Sequence, residues 1–127
     1  MTRTRSSAKT AGTRFESLVA AYLARHVDDR IERRRLSGSN DRGDISGLRH
    51  MGGRVVVECK DYSGRLRPAQ WITELDAERG NDDATAGIVV AKRRGTNKPA
   101  DQWVLTTLGE LVALLNGNRD HIDNEED

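Results

Sequence analysis

Cysteine, proline, aromatic residues and long apolar runs are all scarce in this chain. There is a single cysteine, Cys59, so no internal disulfide can form, and a reducing, cytoplasmic setting is expected. If the gene is phage-borne, that cytoplasm is the host's. No apolar stretch approaches the ~20 residues of a membrane span, and the basic opening MTRTRSSAKTAGTR lacks the apolar core of a secretory signal. No membrane partner is therefore expected. Neither a phosphate-cradling GxxxxGK[ST] loop nor a GxGxxG turn is present, so no nucleotide cofactor is expected. His26, His50 and His121 lie far apart without metal-ligand spacing, which argues against zinc. With two tryptophans, two tyrosines and one phenylalanine, Trp71 and Trp103 are needed for a core or an interface rather than for stacking on bases.

Charge, by contrast, is plentiful. The net value of +1 conceals opposed ends. Residues 1–14 carry Arg3, Arg5, Lys9 and Arg14 and no acid, whereas 117–127 carry Asp120, Asp123, Glu125, Glu126 and Asp127 against Arg119. The expected organisation is a flexible basic arm over 1–12, one domain over 13–116 and an acidic tail over 117–127. The arm is either a solvated tail or a phosphate-binding strap.

Periodicity supplies the element order. Phe15, Leu18, Val19, Tyr22 and Leu23 share one helical face, and TRFE reads as a capping box with Thr13 as N-cap and Glu16 at N3. Strands are expected over 30–37, 44–48 and 54–60, the last two joined by the HMGG turn. A helix over 67–79 follows, with Pro68 in its first turn and Trp71, Ile72 and Leu75 inward. Strands over 86–93 and 102–107 come next. A closing helix over 107–115 has Leu108, Leu111, Val112 and Leu115 inward and Gly117 at its C-terminus. The order α-β-β-β-α-β-β-α predicts an α/β fold: a mixed sheet flanked by helices.

The stretch RVVVECKDY (54–62) holds the chemistry. Side chains alternate along a strand, so Glu58 and Lys60 share one face and Val55, Val57 and Cys59 the other. Alone, an acid and a lysine at a strand end form an ordinary surface ion pair. Asp44 changes that reading. If 44–48 pairs with 54–60, Asp44 approaches Glu58, and two adjacent carboxylates need a proton or a cation between them. Oxygen ligands suit Mg2+, with Mn2+ as a substitute, and the Cys59 carbonyl is a further oxygen within reach. Such an ion acidifies an attacking water and stabilises charge on a phosphate, while Lys60 positions that water or helps deprotonate it.

Gly43-Asp44 followed by Glu58-Cys59-Lys60 resembles the motif of the PD-(D/E)xK nuclease superfamily, and the element order resembles its restriction-endonuclease-like core. Within it, the small single domain is similar to archaeal-type Holliday junction resolvases and their phage-encoded relatives, over about residues 13–116. The resemblance implies Asp44, Glu58 and Lys60 as catalytic residues. It also implies a glutamate on the first helix at the metal site, here Glu16, for which the capping box is the competing explanation. Gly43 departs from the pattern by standing where the proline often stands. Ser39 and Arg42 match the serine and arginine such resolvases place near the scissile phosphate, and Gln70 matches a helix residue that some members turn toward the metal.

The remaining basic residues fit DNA. Arg33 and Arg35 share one face of the first strand, where they either track a phosphate backbone or blunt a sheet edge. Lys92, Arg93 and Arg94 form a second basic loop that is open to the same two readings. So small a domain has little room for a module that reads bases, which favours recognition of DNA shape. Symmetric cutting of a four-way junction requires two active sites, and so a homodimer. The expectation is a Mg2+-dependent, structure-selective endonuclease, foremost a junction resolvase. A restriction-like or repair nicking nuclease and a non-catalytic DNA-binding module on the same fold are the alternatives.

Overall fold

In the computed structural model, which describes residues 3–35 and 40–123, a mixed sheet lies between two helical layers. The chain runs α1 (Arg5–His26), β1 (Glu32–Arg33), β2 (Ile45–Ser46), β3 (Arg49–His50), β4 (Gly53–Lys60), α2 (Pro68–Asn81) and β5 (Ala86–Ala91). A 3-10 turn (Pro99–Asp101), β6 (Trp103–Leu105), α3 (Leu108–Asn116) and α4 (Asp120–Asp123) complete it. The sheet order is β1-β2-β4-β5-β6, with β3 hooked onto the start of β4. Among the described residues, only β4 and β5 run parallel, joined across α2 as a parallel pair requires.

The three consecutive valines of β4 follow from its position. Both of its faces are covered, so Val55, Val56 and Val57 are all buried. Val57 packs with Phe15, Val19, Ile45 and Val90 beneath α1. Val56 packs with Trp71, Leu75 and Val89 beneath α2. At the far end of the strand the α2-facing positions become Glu58 and Lys60, and the chemistry begins where the core ends.

Several expectations are corrected. The helix does not start at Thr13: Thr4 is the N-cap, its side chain accepting from the Ser7 N–H, and of the basic residues assigned to an arm Arg5 and Lys9 ride on the first turns of α1 while Arg3 binds Asp61. Glu16 is thus mid-helix and no part of a cap. Residues 120–123, placed in an acidic tail, form α4 instead. Within the described part of the strand expected over 30–37, only Glu32–Arg33 pair, because their partner β2 is equally short. Gly43 and Gly47, at φ +91° and +92°, bend the chain out of strand geometry at both ends of β2. A Cβ on Gly47 would sit 2.7 Å from the Arg30 carbonyl.

On α3 the expected inward face is turned outward, with Leu108, Leu111 and Leu115 exposed and Ala113 buried. The physical reason is polar: Glu110 points inward to accept the Gly87 N–H at 3.1 Å and an Arg119 guanidinium hydrogen bond at 3.0 Å. Gly117 terminates the helix at φ +75°, as expected. Trp71 is core, whereas Trp103 is half-exposed beneath the Arg93 guanidinium. Among the described residues, no helix is long and apolar enough to cross a membrane.

Candidate active site

The register of two strands creates the site. Ile45 faces Val57 across an antiparallel pair, so Asp44 falls opposite Glu58. The Asp44 N–H donates to the Val57 carbonyl at 2.9 Å. Its carboxylate Oδ2 then accepts the Cys59 N–H at 2.7 Å, which aims the side chain at the strand end. The N–H and C=O of a strand residue point the same way, so the Cys59 carbonyl projects toward this edge too, where β2 has already ended. Gly43 is what permits the approach. Its φ of +91° is closed to proline, and a Cβ there would stand 2.7 Å from Val56 Cγ1 and 3.1 Å from the Val57 carbonyl. The glycine in the expected proline position is therefore required by this backbone.

Around this pair the acids form a continuous series across the sheet edge. From α1, Glu16 reaches Asp44; Asp44 meets Glu58; and Glu58 meets Glu78 from α2, each pair within hydrogen-bonding contact. Burial pushes Asp44 up to about 8, reinforced by contact with Glu58 and opposed by the Cys59 N–H. Burial likewise raises Glu58 to about 8 and Glu78 to about 7. Glu16 is raised by burial, with Arg33 pulling the other way through a 2.9 Å hydrogen bond. Lone carboxylates cannot all stay charged at such spacing. Glu58 is only 5% exposed, and Oε2 of the equally buried Glu78 has no hydrogen-bond partner among the described residues. An all-oxygen donor set fits a hard divalent cation, which Asp44, Glu58 and the Cys59 carbonyl would hold from the β2 side, with Glu16 behind Asp44 on α1.

Lys60 sits beside Glu58, but its hydrogen bond goes to Glu74 on α2, Nζ to Oε2 at 2.6 Å. Gln70 donates to the other Glu74 oxygen at 3.2 Å, so it acts on the lysine's partner rather than on the acids. Burial works against the Lys60 charge, but the bond to Glu74 and the field of Glu58 outweigh it and leave its pKa raised. Burial pushes the Cys59 thiol up as well, so it stays protonated and takes no nucleophilic part.

The basic residues divide by position. Arg33, Arg35, Arg42 and Lys9 line a cleft of about 680 Å³ that opens onto Glu16 and Asp44. Lys92 is turned inward, its Nζ donating to the Arg93 and Thr96 carbonyls. Arg93 lies 4.5 Å over the Trp103 ring, and Arg94 reaches the Ser63 carbonyl at 3.3 Å. This loop continues directly from the site, since the Lys92 N–H bonds the Lys60 carbonyl at 2.9 Å. Ser39 lies outside the described residues.

A family model described as Mrr_cat, restriction endonuclease, matches residues 7–119. The chain belongs to the Mrr_cat restriction endonuclease family. That family is one of the PD-(D/E)xK nucleases, which act with divalent metals, and the mixed sheet with flanking helices agrees with its restriction-endonuclease-like fold. No curated protein and no solved structure matches the chain. The matched span contains every acid of the series and begins inside the helix that carries Glu16.

Sequence reasoning picked out neither Glu78 nor Asp41. For Glu78 a signal existed: Trp71, Leu75 and Glu78 recur at i, i+4 and i+7, so an acid occupies the apolar stripe of α2. Asp41 had none, because it arrives through the loop that leads into β2.

Proposed function

We propose that the protein is a Mg2+-dependent, structure-selective DNA endonuclease, with resolution of four-way junctions by a homodimer as its reaction. The observation that carries this reading is the Asp44–Glu58 contact, at a strand end that also presents the Cys59 carbonyl and Lys60. The bound ion supplies charge stabilisation at the phosphate and a more acidic water. Asp44, Glu58 and the Cys59 carbonyl hold it, and Glu16 braces Asp44 from α1. Gripped by Glu74, Lys60 keeps its ammonium charge, which suits steering water and offsetting phosphate charge rather than taking up a proton. Arg33, Arg35 and Arg42 seat the substrate backbone in the cleft, and Arg93 and Arg94 extend the basic rim past the strand end, while the inward Lys92 holds their loop.

Recognition by shape is supported by economy. Among the described residues, α1, α2 and α3 pack on the sheet and α4 on α3, and no helix stands apart from this body to enter a groove and read base edges. The family's restriction-endonuclease description favours a second reading, cutting of ordinary duplex. Incubation with linear duplex, flap, fork and four-way junction in Mg2+ separates the two. Paired symmetrical nicks confined to the junction are expected; equal cutting of all four substrates would establish the second reading.

A further inference from the structure

The Asp44 side of the series does not account for Glu78. This residue is 5% exposed, sits on the inner stripe of α2, and has an Oε2 that no described group satisfies. An unpartnered buried carboxylate oxygen is costly enough to require a proton or a cation. Lys60, the cation whose field reaches Glu78, is already bonded to Glu74. What Glu78 does face is two further acids. Carboxylate oxygens of Asp41, Glu58 and Glu78 all lie within 4.8 Å of one another. They converge from the loop before β2, from β4 and from α2, and Asp41 is held in place from both sides. Its Oδ1 accepts the Gly43 N–H at 2.9 Å, and its own carbonyl accepts the Asn81 side-chain amide at 2.8 Å. Asp41 is exposed, so the group opens to solvent on one side only.

We propose that Asp41, Glu58 and Glu78 form a divalent-cation site on the α2 face of β4, with Glu78 as its buried anchor and Glu58 shared with the Asp44 side. Three oxygen ligands on an otherwise open coordination sphere suit Mg2+ or Mn2+, which keep several waters. The proposal deepens the metal-dependent reading above by naming ligands that its motif does not include.

The test is direct Mn2+ binding to the full chain, followed by loss of the free-ion paramagnetic resonance signal, with circular dichroism as the check on folding. Glu78→Gln keeps the shape and removes the charge, and is expected to weaken Mn2+ binding about tenfold or more. Asp41→Asn, on an exposed loop, is expected to weaken it in the same direction. Asp76→Asn, on the solvent side of α2, is expected to bind as wild type does. Wild-type affinity in a folded Glu78→Gln overturns the proposal. Should that variant fail to fold, wild-type affinity in Asp41→Asn overturns it equally. Cleavage is not part of the readout, so the two readings fail separately. Mn2+ binding through Glu78 in a chain that cuts no DNA retires the nuclease and leaves the site. A chain that cuts DNA while Glu78→Gln binds normally retires the site and leaves the nuclease.

Discussion

Asp44 and Glu58 stand directly opposite each other across β2 and β4, in hydrogen-bonding contact, with Asp44 locked by the Cys59 N–H at 2.7 Å. Burial raises both well above the ordinary carboxyl range; contact with Glu58 adds to the rise of Asp44, and contact with Glu78 to that of Glu58. A pair held so is unfavourable for stability and useful for binding a cation.

Asp44→Asn and Glu58→Gln are each expected to reduce Mg2+-dependent cleavage by on the order of 10²–10³-fold or more, with binding of uncut DNA retained. Rates and electrophoretic mobility shifts measured on the same preparations check this. Wild-type cutting by either variant would remove that residue from the site.

Stability of the metal-free protein should depend on pH in the direction opposite to that of an ordinary salt-bridged carboxylate. Asp44 and Glu58 near 8 and Glu78 near 7 bind protons more tightly in the fold than in the unfolded chain. Their contribution is complete below the unfolded carboxyl range near pH ~4 and is lost as pH rises through about 7 to 8. Thermal melts in chelator are expected to show Tm falling between pH 5.5 and 8.5, at roughly 4 °C per ~1 kcal/mol. Glu78→Gln should flatten the fall, and Mn2+ should restore Tm most at the alkaline end. A metal-free Tm that rises with pH over this window would contradict the arrangement.

Arg33 and Arg35 are expected to separate in their effects. Arg35 is exposed at the cleft, so Arg35→Ala in an Asp44→Asn background should lower the salt dependence of DNA binding by about one phosphate contact. Arg33 also holds Glu16 at 2.9 Å, so Arg33→Ala in the active protein should reduce cleavage at saturating DNA as well. An unchanged salt slope for Arg35→Ala would return it to plain surface charge.

Much of the architecture was legible from local pattern. The valine run, the α2 stripe through Trp71 and Leu75, and the glycine after α3 each declare an element through side-chain period or backbone freedom, without reference to distant residues. The same holds for Glu58 and Lys60 on one face, because alternation along a strand is a local fact. The start of α1 and the outward leucines of α3 were not legible. The TRFE box is a sound capping signal that a longer helix overrode, and the rotation of α3 is decided by Glu110 reaching Gly87 and Arg119.

The sequence by itself determined the mixed α/β class and the covered strand and singled out Asp44, Glu58 and Lys60 as candidates, whereas β3 and α4 were not read from it. Only the tertiary structure decided that Glu16 joins Asp44 from one helix, that Glu78 joins Glu58 from another, and that Lys60 is held by Glu74. These contacts link residues 14 to 28 positions apart on separate elements. No local period encodes them, because sheet register and helix rotation are settled by packing of the whole core.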